Sequence, residues 1–281
     1  MQNKRGTRWA WIVLMAGLCL QLGSCASLRA QNSDEQRTTP LFTLPVKAVQ
    51  FAADKLGQSY ALIEPNELIQ YSNTGKEFFR YNNNYLGPLH LIDPTDPFNL
   101  LLFYKDFSTI ITLDRTLTQT GEVNLLDLDI VDVDAVGVSN DNNIWLYDET
   151  AFRLKKISRS GDVIYESDPL SLIFDEPLDI NFLLERNNQV FLNDPQQGVY
   201  VFDLFGRYLR KIDLRGLDRF QILGQQLIFR KDNKLNSYHL KTLAEAPINL
   251  PVPLHESQKI YLQKDRFFLI GPEQIAAYRF P

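Results

Sequence analysis

Short apolar runs recur about every forty residues along this chain, and that recurrence constrains the fold more than any other feature. Residues 60–64 (YALIE) precede a second apolar run at 68–71 and Gly75. Residues 101–105, 144–148 and 190–194 are followed in the same way by 109–113 and Gly121, by 152–157 and Gly161, and by 199–202 and Gly206. Weaker copies begin at 227–230 and 267–270, with partners at 235–240 and 275–280. Anchoring the series on Ala61, Leu102, Trp145, Phe191, Ile228 and Phe268 gives spacings of 41, 43, 46, 37 and 40 residues. Strand-rich repeats of roughly this length are characteristic of propellers.

Each interval also holds a strand-like run before the anchor pair, as at 135–139 and 178–184, and one after the turn, as at 162–166 and 207–213. Four strands per repeat make one blade. Apolar side chains at helical period are missing, and Asn, Asp, Gly and Pro punctuate the runs. The sixth repeat reaches Pro281 with only three strands, while residues 41–45 (LFTLP) lie before the first repeat's inner strand at 46–51 and have no other assignment. Pairing them with the last repeat closes a ring and removes an open sheet edge. The expected fold is therefore all-β, a six-bladed β-propeller over 41–281 closed by an N-terminal strand; five or seven blades, or tandem β-sandwiches with strands at similar spacing, are the alternatives.

The segment before the repeats has its own logic. Lys4, Arg5 and Arg8 precede an uncharged run at 9–22, and Gly23-Ser24-Cys25 follows. This is the layout of a secretory signal, and the run is shorter than the ~20 apolar residues of a permanent span. Leu22-Gly23-Ser24-Cys25 resembles a bacterial lipobox. The resemblance implies a signal peptide over 1–24, lipidation of Cys25 by palmitate-type acyl chains, and a polar tether over 25–40; the alternative is an ordinary cut near Ala26 or Ala30. Ala26, where an aspartate favours inner-membrane retention, implies the outer membrane, and Ala26-Ser27-Leu28-Arg29 lacks the acidic residues of surface-exported lipoproteins, which implies the periplasmic face.

Removal of residues 1–24 takes away three basic and no acidic residues, so net charge moves from −5 to −8. An acidic chain excludes the electrostatic footprint of a nucleic-acid binder and leaves attachment to anionic lipid to the acyl chains. With Cys25 committed to lipid no disulfide is expected, and there is no free thiol for nucleophilic chemistry.

Catalytic signatures are not found. Thr74-Gly75-Lys76 lacks the glycine-rich approach of a phosphate loop, and no Gly-x-Ser-x-Gly elbow occurs. His90, His239 and His255 fall in three repeats without metal-ligand spacing. Asp127, Asp129, Asp132 and Asp134 lack the glycine and terminal glutamate of a calcium loop and read as a connection between the second and third blades. Six-bladed lactonases hold a metal in the central channel on carboxylates and amides; by that resemblance His90, Asp93, Asp179 and Asn181 are the channel candidates, and no catalytic, metal or cofactor site is otherwise expected.

In overall plan the chain resembles small propeller lipoproteins of Bacteroidota, including ones that accompany the type IX secretion translocon. That resemblance implies a non-enzymatic accessory or scaffold subunit of an outer-membrane secretion or assembly complex, with a barrel or translocon as partner. A periplasmic metal-dependent hydrolase and a glycan or small-ligand binding lipoprotein are the alternatives.

Overall fold

A computed structural model describes residues 39–64 and 66–280. The expected signal at 1–24 and Cys25 lie outside the described residues. The sequence from Phe42 to Arg279 forms six four-stranded antiparallel sheets arranged as the blades of a ring, in agreement with the repeat.

A short strand, β1 (Phe42–Leu44), leads the chain. Blade 1 is β2 (Ala48–Ala53), β3 (Ser59–Ile63), β4 (Glu67–Tyr71) and β5 (Glu77–Asn82); blade 2 is β6 (Leu91–Asp93), β7 (Leu100–Tyr104), β8 (Thr109–Leu113) and β9 (Gln119–Asn124). Blade 3 is β10 (Val136–Val138), β11 (Ile144–Asp148), β12 (Arg153–Ile157) and β13 (Val163–Glu166); blade 4 is β14 (Phe182–Arg186), β15 (Gln189–Asp194), β16 (Gly198–Asp203) and β17 (Tyr208–Ile212). Blade 5 is β18 (Gln221–Leu223), β19 (Gln226–Lys231), β20 (Lys234–His239) and β21 (Glu245–Pro247). Blade 6 holds β22 (Lys259–Leu262), β23 (Arg266–Ile270) and β24 (Ile275–Arg279), and β1 completes it by pairing Phe42 with Ala277 and Leu44 with Ile275. All six sequence anchors fall on the second strand of a blade.

The middle strands are apolar without alternation because both of their faces are covered. Every residue of β7, β8 and β11 is buried. The core is six separate clusters, each held between two neighbouring blades: Phe103 and Ile110 meet Val136 and Leu146 across blades 2 and 3, and Ala61 and Ile69 meet Phe268 and Ile275 across blades 1 and 6. A sheet buried on both faces reads as continuous hydrophobic sequence. Outer strands are largely exposed, as in β5 and β13.

One turn is used four times between the third and fourth strands. Ser72, Asp114, Ser158 and Asp203 open it, and their side-chain oxygens accept from the backbone amides two and four residues on. The fourth residue has positive φ: Gly75, Leu117, Gly161 and Gly206. Blade 2 corrects the sequence expectation, since Gly121 lies inside β9 opposite Thr112 and Leu117 takes the turn position. A register shift sits next to this turn in blades 1 to 4, bending the outer strand away. Glycine also serves packing here: a Cβ on Gly75 would stand 2.5 Å from Phe42 Cδ2, and one on Gly206 2.9 Å from Tyr165 Cε1. Each of these turns thus rests on the outer strand of the blade before it.

The inner strand expected at 178–184 begins at Phe182 instead. Leu178 and Ile180 are buried in the cluster between blades 3 and 4, and the Asp179 amide donates to Asp194 Oδ2 at 3.1 Å, so the chain there follows the core before it joins the ladder.

Candidate functional site: the channel and the connection face

The first strands of neighbouring blades approach one another, β2 beside β6 and β22 and β10 beside β14, and so line the axis. Gly137 permits the last approach, because a Cβ there would meet Leu183 Cδ2 at 2.9 Å and the Leu183 carbonyl at 3.1 Å. A polar side chain on or beside these strands crosses every blade boundary. Gln50 Nε2 donates to the carbonyls of Leu89 (3.0 Å) and His90 (2.8 Å), and Asp93 Oδ2 accepts from the Val138 amide at 2.7 Å. Glu185 accepts from Ser139 Oγ and from Trp145 Nε1 at 2.6 Å. Asn181 Nδ2 donates to the Asp218 carbonyl at 3.1 Å, Gln221 exchanges bonds with both backbone groups of Leu262, and Tyr261 OH donates to the Ala53 carbonyl at 2.9 Å. Six bonds or pairs of bonds therefore stitch the ring, and in the case of Glu185 they satisfy a carboxylate that would otherwise be buried unpaired.

Among the channel candidates, His90 and Asn181 come together in one tight hollow with Asp134 and Arg219 over an apolar floor of Leu91, Val136 and Leu183. Asp93 lies at the far end of β6, where Oδ1 accepts from the Thr95 amide and Oδ2 from Val138. Asp179 stands exposed on the connection leading to β14. Burial, followed by the charges of Arg219 and Lys105, holds the His90 imidazole below its ordinary range. Arg219 is exposed by surface area yet flanked by protein, its guanidinium 5.6 Å from the Phe182 ring centre, and that desolvation lowers its pKa. Among the described residues no three His, Cys, Asp or Glu side chains converge as a metal-binding group. The polar atoms of Asp93 and Asn181 are instead committed to stitches within and between blades.

Sequence reasoning overlooked the face that carries the connections between blades. In blades 1 to 4 the connection is tied to the turn between the second and third strands of the blade it leaves. The Leu125 amide donates to the Ser108 carbonyl (2.8 Å), Leu170 to Phe152 (2.8 Å) and Gly216 to Pro195 (2.7 Å); in blade 1 Asn66 bonds the carbonyls of Asn83 and Gly87. These turns and connections therefore share one face. Large apolar side chains stand out from it: Tyr85 is 88% exposed, Leu172 76%, Val131 62%, Leu126 49% and Phe107 47%. A hollow of about 480 Å3 lies between Gln50, Glu64, Asn66 and Pro88.

Carboxylates neighbour several of these groups in sequence, Asp106 next to Phe107, Asp127 next to Leu126 and Asp132 next to Val131. Glu149 meets Asp132 through its backbone amide (3.0 Å), and Lys105 pairs with Asp134. Burial and then the charges of Asp134, Asp132 and Asp179 push the Glu149 carboxyl up to about 7. The only sequence signal for this face was the aspartate run at 127–134; its exposed apolar companions became visible only once the chain was folded.

No family model and no curated protein matches this sequence. Solved structures match it at low identity. A catalytically inactive virginiamycin B lyase from Staphylococcus aureus, solved with quinupristin, superposes with a TM-score of 0.61 at 10% identity, covering 85% of this chain and 99% of that one. The β-propeller domain of Myceliophteria thermophila Cps50 (Swd1) gives 0.58 at 10% identity over 87% and 100%, and the WD40 domain of Neurospora crassa Pan2 gives 0.56 at 12% over 86% of each chain. A lyase and two eukaryotic domains share the architecture at these identities, so the likeness is one of fold: the chain is a small β-propeller.

Proposed function

We propose that the protein is a non-enzymatic, lipid-anchored scaffold, an accessory subunit of an outer-membrane secretion or assembly complex. The observation that carries this reading is the connection face, where Tyr85, Leu172 and Val131 stand more than half exposed. Exposed apolar groups mark interaction sites, and on this face they are accompanied by carboxylates, whereas the opposite end, which exposes Leu56, Phe98, Phe205 and Leu243, carries balanced charge. The lipobox-like Leu22-Gly23-Ser24-Cys25 supports the anchor, and a polar segment of 15 residues from Ala26 to Pro40 would keep the body within about 50 Å of the membrane. Tethering at that range raises the effective concentration of membrane partners without adding a contact. The resemblance to Bacteroidota propeller lipoproteins supports a barrel or translocon as the partner.

Purification of the native protein after detergent solubilisation tests the proposal. A stoichiometric outer-membrane partner is expected, and a lone monomer under mild detergent would defeat it. Cys25→Ser is expected to move the protein from the membrane to the soluble periplasmic fraction; a variant that stays membrane-bound and functions normally would remove the anchor from the mechanism.

A further inference from the structure

Charge on the two ends of the propeller is distributed very unequally. The turns and connections at 105–108, 125–135, 149–152 and 167–181, all on the connection face of blades 2 and 3 or leading to blade 4, contain ten acidic residues and one basic residue, Lys105. Eight of those acids are exposed, and Lys105 is already paired with Asp134. The turns at the opposite end, at 54–58, 72–76, 94–99, 114–118, 139–143, 158–162, 187–188, 203–207, 224–225, 240–244 and 263–265, hold seven acidic and seven basic residues. The acidity therefore belongs to one end of the propeller, and most of it to this arc.

The same arc carries exposed apolar side chains. Phe107 lies over Gly87, close to Tyr85 in sequence, and Ser108 is bonded to Leu125 beside Leu126, so the apolar groups of blades 1 and 2 adjoin. Val131, Leu172 and Ile173 continue along the connections of blades 2 and 3. Apolar contact provides affinity, and the surrounding carboxylates select the sign of the occupant. An anionic lipid surface would be repelled, and an acidic protein would place like charges in contact.

Resting on the scaffold reading above, we infer that the connection face of blades 2 to 4 is the docking surface, and that its occupant is a protein segment rich in lysine or arginine interspersed with apolar side chains. The cationic groups neutralise the carboxylates while the apolar ones cover Leu126, Val131 and Leu172. Reversing three of the charges is expected to weaken such a contact at least tenfold.

The test uses the full-length lipidated protein in zwitterionic vesicles. One probe is an 18-residue peptide of alternating leucine and lysine, and its control has glutamate in place of lysine. The lysine peptide is expected to bind and the glutamate peptide not; Asp127→Lys with Asp175→Lys and Glu176→Lys should weaken binding at least tenfold, and Val131→Ser with Leu172→Ser should weaken it at unchanged salt dependence. Equal binding of both peptides, or wild-type binding by the charge-reversed variant, would overturn the inference. In cells, Leu172→Cys and Leu56→Cys, each labelled with a benzophenone maleimide, place a photo-crosslinker on the docking face and on the opposite end. Crosslinks from position 172 to a partner segment of net positive charge support the inference. A partner that crosslinks only from position 56, or through an acidic segment, overturns it while leaving the scaffold reading intact; a protein that purifies alone and crosslinks to nothing ends both.

Discussion

Leu44→Ala isolates the contribution of the closing strand. Leu44 is 3% exposed on β1 and packs with Ile275, Phe268 and Ala61 at the boundary between blades 6 and 1, while its neighbour Thr43 points outward. Truncating a buried leucine costs about 3 kcal/mol through lost transfer free energy and the cavity left behind. For a body of this size each kcal/mol moves the melting temperature by about 2–4 °C, so a decrease of about 6–12 °C is expected. Thermal unfolding followed by circular dichroism, with Thr43→Ala as the matched control, reads it directly. Equal melting temperatures for the two variants would refute the claim that β1 is an integral part of blade 6. Deleting residues 41–45 should go further, to unfolding or aggregation, because β24 would then offer an unpaired edge.

Other outcomes follow from the same geometry. Trp145→Phe removes a donor to Glu185, a carboxylate that is 1% exposed, and should lower urea-unfolding stability by about 1–3 kcal/mol; an unchanged midpoint would show that the stitch between blades 3 and 4 contributes nothing. Gly75→Ala should destabilise more than Gly224→Ala: both residues have positive φ, but only Gly75 would bring a Cβ against Phe42, whereas Gly224 has open space, so equal losses would refute the packing role. Glu149, with its pKa raised to about 7, binds a proton in the folded state that the unfolded chain has released above about 4.5. Its contribution is fully present below the unfolded value and is lost as pH rises through about 7, so wild-type melting temperature should fall between pH 5 and pH 8 more steeply than that of Glu149→Gln. Parallel profiles would contradict this.

The blade count was legible because burial on both faces forces unbroken apolar runs on the second strands, and Trp145, Phe191 and Phe268 therefore announce themselves in sequence. The closing strand was legible by subtraction, since six repeats of four strands required one more at the C-terminal end. The turn of blade 2 misled because its positive-φ position is filled by Leu117, a residue that rarely adopts that conformation and is buried between blades 1 and 2; the more informative pattern was the Ser or Asp three residues earlier. His90, Asp93, Asp179 and Asn181 looked alike in sequence as polar groups near inner strands. Only the fold separates Asp93 and Asn181, held in bonds across blade boundaries, from Asp179, which joins an acidic surface, and His90, which faces Arg219. The apolar side chains of the connection face were hidden for a different reason: Leu126 and Leu172 lie in single 3-10 turns and Val131 in irregular chain, segments too short for a period to distinguish an outward residue from a buried neighbour such as Leu125 or Ile130.

The position of β1 has a mechanical consequence. Any pull transmitted along the chain from residues before Phe42 enters the propeller at a three-residue strand held to one neighbour, with the bond from the Leu41 amide to the Ala277 carbonyl the first to bear load. If that pull comes from a membrane attachment, the join that closes the ring is also the point of force entry, and peeling Phe42 from Phe268 and Gly75 would open the whole structure at one seam. Resistance to tension would then be set by the few side chains of this strand, whatever the thermal stability of the other five blades.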